Sequence, residues 1–458
     1  MTAEPVSPAE PPKDIPADEE TRAGNYFVSN YPPYAFWSKD RVAEANAAIE
    51  RPPTPGNPLG IYVHIPFCRK RCHFCYFKVY TDKNSSEVES YLDAAVQELA
   101  IYASKPFIGG RKPTFIYFGG GTPSYISSSQ LTRLVDRMKA LLPWDEAKEV
   151  AFECEPGTLT EGKLQAIREL GVTRLSLGIE NFNDEILLAN GRAHASKEIG
   201  RAYEFARSIG FPQINIDLIA GMVGETEANW RDCVARTIEM QPDSVTIYQM
   251  EVPHNTTIFK EMKVFGQSAA PGVAIWKTKR GWVEYAFAEF EKNGYTVASA
   301  YTAVKDTSAA PFLYRDLLWR GADMVGLGVA SFSHVNGTHY QNDHEFESYC
   351  AKLGEGKLPL FRALTPDADE RMIREFVLQM KLGRVHQAYF AEKFGVDVER
   401  RFEAPLNRLR DRGFLTIGPD SVRLNRSGLM QVDKLLHEFF LPEHRQFPLA
   451  DPRDLARE

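Results

Sequence analysis

The chain has 458 residues, 43% hydrophobic and 25% charged, ordinary proportions for a globular protein with a sizeable core, so global disorder is excluded. Lys and Arg total 54 against 61 Asp and Glu, a formal net charge of −7, which argues against general attraction to nucleic acid or to an anionic membrane. Six cysteines are too few for a disulfide scaffold, and no apolar run approaches the ~20 residues of a membrane span.

Residues 1–25 read as a solvated, disordered leader. They carry five prolines by Pro16 and three acids at Asp18–Glu20, without the cationic start and apolar core of a secretory signal. A cytoplasmic location with reduced thiols is therefore expected. Residues 26–60 form an aromatic arm, YFVSNYPPYAFW over Tyr26–Trp37, and a linker with four prolines between Arg51 and Gly60. Such an arm packs a terminal segment onto a domain; direct contact with substrate is the alternative.

From Ile61 the chain alternates. Strands are expected at Ile61–Ile65, Thr114–Phe118, Glu149–Cys154, Arg174–Ile179, Gln213–Ile219 and Ser244–Tyr248. Helical periodicity fills the intervals, as at Ser86–Ala103, Ser129–Leu142, Glu161–Leu170, Lys197–Ile209 and Ala228–Met240. Apolar strands alternating with helices imply a parallel sheet with right-handed crossovers. Six such units fit an α/β fold of the partial (β/α)6 barrel type. A doubly wound sheet is the runner-up and lacks its glycine fingerprint. A helix at Gly272–Asn293, a strand at Tyr295–Ala300 and a small-residue strand and turn at Gly321–Ser333 extend this unit over 61–362. Residues 363–445 then read as a helical module: Asp367–Lys381, Gln387–Lys393, Glu399–Asp411, a hairpin at Gly413–Leu424 and a helix from Ser427. The order is that of a winged helix. Its arginines, Arg400, Arg401, Arg408, Arg410 and Arg412, alternate with acids, so a structural or lid role is expected ahead of DNA binding. Residues 446–458 are a tail.

Three cysteines crowd into Cys68-Arg-Lys-Arg-Cys72-His-Phe-Cys75, directly after the first strand. In a parallel barrel the C-terminal strand ends face the active site. Soft thiolates at this spacing suit zinc or an iron–sulfur cluster. Structural zinc wants four ligands, and only His64 or His73 is at hand to complete the set. Three ligands to a 4Fe–4S cluster leave one iron open for chemistry. Chance clustering of core cysteines is the third possibility.

The C-x3-C-x2-C spacing after a first strand resembles the radical S-adenosylmethionine (SAM) superfamily. Further pieces follow in order: Phe118-Gly119-Gly120-Gly121-Thr122-Pro123 after the second strand and Glu153-Cys154-Glu155-Pro156 after the third. Ser176–Phe182, SLGIENF, ends the fourth; Asn190-Gly191-Arg192 comes next, and Asn215–Gly221, NIDLIAG, ends the fifth. Together they resemble the oxygen-independent coproporphyrinogen III dehydrogenase (HemN)-like group over most of the chain. The resemblance implies a 4Fe–4S cluster on Cys68, Cys72 and Cys75 that reduces SAM to methionine and a 5′-deoxyadenosyl radical. It implies a first SAM site at Tyr62, Gly120 and Glu153 with backbone near Met250 and Phe332. A second SAM would touch Phe74, Gly121, Thr122, Glu180, Arg192 and Asp217. The bland alternative for Arg192 and Asp217 is a structural ion pair.

Three features depart from the decarboxylating enzymes of that group. The usual fourth Cys, two residues past the third, is Phe77. The usual Gln of the fourth-strand motif is Glu180, a carboxylate that can accept but not donate when ionised and could act as a base; with Tyr62 it is the candidate catalytic residue. The haem chaperones share the Phe77 pattern and a Tyr248-Gln249 pair, yet normally lack an arm like Ser29-Asn30-Tyr31-Pro32. The class C radical SAM methyltransferases and cyclopropanases resemble the remaining pattern, Cys75-Tyr76-Phe77 with Tyr80 and Asp82-Lys83-Asn84. The expected reaction is C-methylation or cyclopropanation of an sp2 carbon with two SAM molecules. Porphyrinogen decarboxylation and haem carriage are the alternatives. Expected partners are a small heteroaromatic, alkene or tetrapyrrole substrate and a low-potential donor such as flavodoxin or ferredoxin. For haem carriage, His334, His339 and His344 fall in one predicted loop; exposed loop histidines are the plainer reading. Tyr314, Arg315 and Trp319 are candidates for a substrate cavity. Cys154, Cys233 and Cys350 read as core residues.

Overall fold

Along the fourth predicted strand, Leu175, Leu177 and Ile179 are fully buried against helices, while Arg174, Ser176, Gly178 and Glu180 take the opposite face. That alternation, repeated strand by strand, builds the centre of the molecule. The structure is a computed structural model that describes residues 19–24, 26–267, 269–308 and 311–445. Six parallel strands follow in order: β1 Leu59–Ile65, β2 Phe115–Gly120, β3 Glu149–Cys154, β4 Arg174–Glu180, β5 Gln213–Ala220 and β6 Ser244–Gln249. The helices between them bury one face of this curved sheet. This is the expected partial barrel, with additions at both edges.

Beyond β6, the single strand expected at Tyr295–Ala300 is instead a short hairpin, β7 Thr296–Val297 and β8 Thr302–Val304, antiparallel to β6. Ser299 turns the chain, its Oγ accepting the N–H groups of Tyr301 (3.2 Å) and Thr302 (3.1 Å). On the other side, β9 Asp323–Leu327 pairs parallel with β1 and adds a seventh parallel strand. Three antiparallel strands complete the edge: β10 Phe332–Val335, β11 Thr338–Asn342 and β12 Leu360–Leu364.

The β10–β11 hairpin corrects the expected loop. Asn336 and Gly337 both take positive φ, 48° and 78°, the conformation of a tight two-residue hairpin turn that the Asn-Gly dipeptide favours. His334 and His339 face each other across it with ring centres 4.7 Å apart. Both are buried, and burial pushes the His334 imidazole down to about 3. Trp37 of the arm stacks on His339 at 5.3 Å. These histidines are the floor on which the arm lies, neither exposed loop residues nor a shared ligand set with His344.

The C-terminal module packs helices Ala368–Met380, Gln387–Phe394 and Glu403–Asp411 around Phe376, Phe390, Phe402 and Phe439. Its small sheet contains β13 Arg384–His386, β14 Leu415–Ile417 and β15 Ser421–Leu424. Arg401 pairs with Asp369, Arg408 and Arg412 with Glu438, and Arg410 with Asp411, so the arginines present no continuous basic face. Val28 and Tyr31 of the arm belong to this core. The described end of the leader is also fastened: Thr21 is buried, and Glu19 pairs with Arg280 at 2.5 Å. Those residues are not solvated as expected; residues 1–18 and 446–458 lie outside the described residues. No helix among the described residues is long and apolar enough to cross a membrane.

Glu98, on the helix Ser85–Ala103, ties the barrel to its extra strands. Its carboxylate accepts from Gly328 N–H (2.8 Å), the Tyr349 hydroxyl (2.7 Å) and the Asn342 amide (2.6 Å). Burial pushes it up to about 7 from 4.5. A carboxyl raised in the folded state favours folding fully below its unfolded pKa, and that contribution is lost as pH rises through the folded value. The melting temperature of the native chain relative to Glu98→Gln should therefore fall between pH 4.5 and pH 7. A difference that stays constant, or widens, over that interval contradicts the assignment.

Candidate active site

The cysteine loop leaves β1 through Pro66 and returns at Tyr80. Tyr80 N–H donates to the Pro66 carbonyl (2.8 Å) and Cys68 N–H to the Tyr80 carbonyl (3.0 Å), closing the loop at its base. The glycine-rich end of β2 lies beside it. Gly121 and Thr122 donate their N–H groups to Ile65 and Phe67 carbonyls at 2.8 and 2.9 Å. A Cβ on Gly121 would stand 2.9 Å from the Pro66 carbonyl carbon and 3.0 Å from Cys68 Sγ. Gly120 adopts φ +116°, and a Cβ there would meet the His64 ring at 2.6 Å. Only glycine fits both places.

Two side chains reach the sulfurs. The Thr122 hydroxyl donates to Cys68 Sγ at 3.3 Å, and Arg192 Nη1 donates to Cys72 Sγ at 3.3 Å. Burial pushes the Cys68 thiol up to about 12 and the Cys75 thiol up to about 11, so binding a soft metal there must expel protons. His73 turns Nδ1 to the Ala189 carbonyl at 3.0 Å, away from a fourth zinc position. Among the described residues no group of three His, Cys, Asp or Glu converges on one metal ion. Three thiols in one loop, with donors aimed at two of them, fit separate irons of a cluster better than mononuclear zinc.

Inward residues of the barrel form rows across the strands. Glu153, Ser176, Asn215 and Ser244 are one row; Gly178, Asp217 and Thr246 are the next. The Asn215 amide donates to Ser176 Oγ and to Asp217 Oδ1, each at 2.9 Å. Its oxygen accepts from Ser244 (2.8 Å) and Thr246 (3.1 Å). Ser176 in turn donates to Asp217 Oδ2 at 2.7 Å. Burial raises Asp217. Glu153 accepts from the Tyr117 hydroxyl; burial and the Asp217 charge push it up to about 7. Glu180 ends β4 with φ +65°, the left-handed region that non-glycine residues enter at functional or strained sites. Burial pushes it up to about 7 against the pull of Arg192, whose Nη2 is 3.6 Å from Glu180 Oε1 and donates to the Gly178 carbonyl at 2.6 Å.

Residues 62–236 match the family described as Radical SAM superfamily, and residues 367–430 match the HemN C-terminal domain. By these two matches the chain is similar to radical SAM proteins of the HemN/HemW-like group. It is similar to the heme chaperone HemW of Bacillus subtilis (strain 168), 27% identical over 82% of this chain and 98% of that protein. It is also similar to the oxygen-independent coproporphyrinogen III oxidase of Escherichia coli (strain K12), 26% identical over 88% and 90%. The solved structure of Escherichia coli HemN shares the fold, with a TM-score of 0.76 at 23% identity over 90% of this chain and 96% of that one. That similarity implies a 4Fe–4S cluster and SAM.

The residues expected from sequence are only partly brought together. Tyr62 stacks on Tyr117 at 5.8 Å, beside Glu153's partner. Gly121 and Thr122 touch the Cys68 side of the loop, and Arg192 bridges Cys72 to Glu180. Phe74 and Met250 share an apolar wall with Ile219 and Met222. Met250's N–H is bound to the Ala220 carbonyl (2.8 Å) and its own carbonyl accepts from buried Lys279 (2.7 Å). Phe332 has its ring 4.5 Å from Tyr34 of the arm and its carbonyl against Gly326, the β9 residue in register with Tyr62. The ion pair weighed between Arg192 and Asp217 does not form: Arg192 faces Glu180 and Asp217 faces Ser176 and Asn215. Tyr76 and Phe77, in the place of the fourth cysteine, are an exposed stacked pair at 4.4 Å. Sequence reasoning gave no role to Tyr117, Ser176 or Asn215. Their inward positions in the strand alternation were the available signal.

Proposed function

We propose that this protein is an oxygen-independent coproporphyrinogen III oxidase-like enzyme, taking hydrogen from a tetrapyrrole-class substrate. When bound, the cluster and SAM together supply a 5′-deoxyadenosyl radical able to abstract hydrogen. In this reading Cys68, Cys72 and Cys75 hold the cluster, and Gly120, Gly121 and Thr122 leave room for the SAM backbone. Tyr62 and Glu153 line the first SAM, with Glu153 held by Tyr117. Asp217, fixed by Ser176 and Asn215, suits ribose hydroxyls or an amine, and Arg192 suits a carboxylate through its planar fork. Phe74 lies along the same wall.

The observation that carries this reading is the arm. Its residues are built into two cores: Trp37 lies on His339, and Tyr31 is wholly buried under the C-terminal module. Methyl transfer to an sp2 carbon is the second reading, favoured by Glu180 in its strained conformation and by Phe77.

The test is anaerobic turnover of reconstituted protein with a reductant, SAM and coproporphyrinogen III. Formation of 5′-deoxyadenosine with CO2 release is expected. Deuterium carried from methyl-deuterated SAM into 5′-deoxyadenosine, without CO2, would replace this reading by methylene transfer. Stable haem binding without SAM cleavage would contradict both.

A further inference from the structure

The lowest inward row of the barrel holds a guanidinium with an unanswered donor. Arg174 opens β4 and is 2% exposed. It lies in register with Ala151 and Gln213, in the row that also carries Tyr62 and Tyr117. Its Nη1 is buried with no hydrogen-bond partner among the described residues. Its guanidinium rests 4.3 Å from the centre of the Phe312 ring.

Arg315 presents a second such atom. It sits in the short helix Leu313–Leu318, which closes the bottom of the barrel. Nε and Nη2 are engaged by Asp316, each at 2.7 Å. Nη1 is buried with no hydrogen-bond partner among the described residues. This guanidinium addresses the same Phe312 ring at 5.5 Å. Glu149 attracts Arg174 electrostatically but spends its hydrogen-bonding oxygens on the N–H groups of Leu313 (3.0 Å) and Tyr314 (2.9 Å).

Two guanidinium groups beside one ring, Arg315 already paired with Asp316, each keep an idle buried N–H, which is costly unless an acceptor joins them. Planar guanidinium forks match carboxylates. The stacked rings of Tyr117 and Tyr314, 4.2 Å apart, give the space a flat wall. Four residues further up β4 is Gly178, level with Asp217, a rise of about 13 Å.

We infer that Arg174 and Arg315 form a carboxylate site at the floor of the barrel, which anchors an acidic arm of the substrate while its reacting carbon lies near the cysteine loop. The tetrapyrrole identity of that arm rests on the function proposed above; the anion site does not.

The test uses the full reconstituted chain with SAM present. Coproporphyrin III and its tetramethyl ester share a ring and differ in charge. The acid should bind about tenfold or more tightly than the ester, the value of one charge-assisted hydrogen bond. Arg315→Gln should remove most of that preference, and it carries the test if Arg174→Gln does not fold. Equal binding of acid and ester, or an undiminished preference in Arg315→Gln, overturns the inference. If neither porphyrin binds, the tetrapyrrole identity fails and succinate decides the rest. A melting temperature raised by succinate over chloride at equal ionic strength, and not raised in Arg315→Gln, upholds the anion site. No such rise sinks it.

Discussion

A Cys72→Ala chain is expected to form no 5′-deoxyadenosine above background and to lose the visible absorption of its reconstituted cluster. Cys72 is the middle thiol of a loop whose base is locked by the Pro66–Tyr80 and Cys68–Tyr80 hydrogen bonds, so no neighbouring sulfur can swing into its place. Cys154 is the wrong distance along the fold: it is buried on β3, next to the barrel core. The loss should also disturb Arg192. Its Nη1 would lose its sulfur acceptor, while Nη2 keeps the Gly178 carbonyl, Glu180 and His194. Cys154→Ala is the matched control. It removes a thiol outside the loop, one more buried than Cys72, and should keep iron content and SAM cleavage. Full iron content and product formation in Cys72→Ala, or their loss in Cys154→Ala alone, would overturn the ligand assignment.

Tyr31→Ala should cost about 3–5 kcal/mol of stability, the range for deleting a large buried aromatic ring. The ring is 0% exposed and packs on Phe440 at 4.8 Å and His444 at 5.2 Å. Its hydroxyl bonds His444 Nδ1 at 2.7 Å and accepts the Leu441 N–H at 3.2 Å, so truncation leaves a cavity and two orphaned polar groups. Tyr31→Phe keeps the ring and should lose only about 1–3 kcal/mol. Chemical denaturation of the three proteins measures the difference. A Tyr31→Ala midpoint equal to that of Tyr31→Phe would mean that the arm is an attachment and not part of the core.

What was legible in the sequence was local. Parallel strands buried on both sides read as apolar runs, so β1 to β6 could be placed to within a few residues. The cysteine loop and the Gly120–Thr122 turn could be read because their chemistry lies in consecutive residues. Pairings between distant segments were not legible. Nothing in Gly321–Ser333 says that β9 joins β1 on the far side of the barrel. The Asn336-Gly337 dipeptide did signal a hairpin, but three nearby histidines drew attention to chemistry and away from the turn. Arg192 could be linked to a cofactor by its motif, yet its contact with Cys72, 120 residues earlier, exists only in the fold. Arg174 read as the first residue of a strand; its isolation becomes visible only when Phe312, Glu149 and Arg315 surround it.

The buried hydrogen bond between Tyr31 and His444 spans 413 positions of the chain. At ribosomal speeds of about 5–20 residues per second, the arm leaves the tunnel about 20–80 s before its partner has been made. Throughout that time Tyr31 has no finished surface to lie on, whereas Tyr26, Phe27, Tyr34 and Trp37 meet Trp276, Tyr301, Phe332 and His339 earlier. The newborn chain thus carries an uncovered Tyr31 until the segment Phe440–His444 arrives, and removal of that segment exposes it permanently. Loss of the C-terminal segment should be met by aggregation of the whole polypeptide and its capture by holdase chaperones, even with every cysteine of the loop intact.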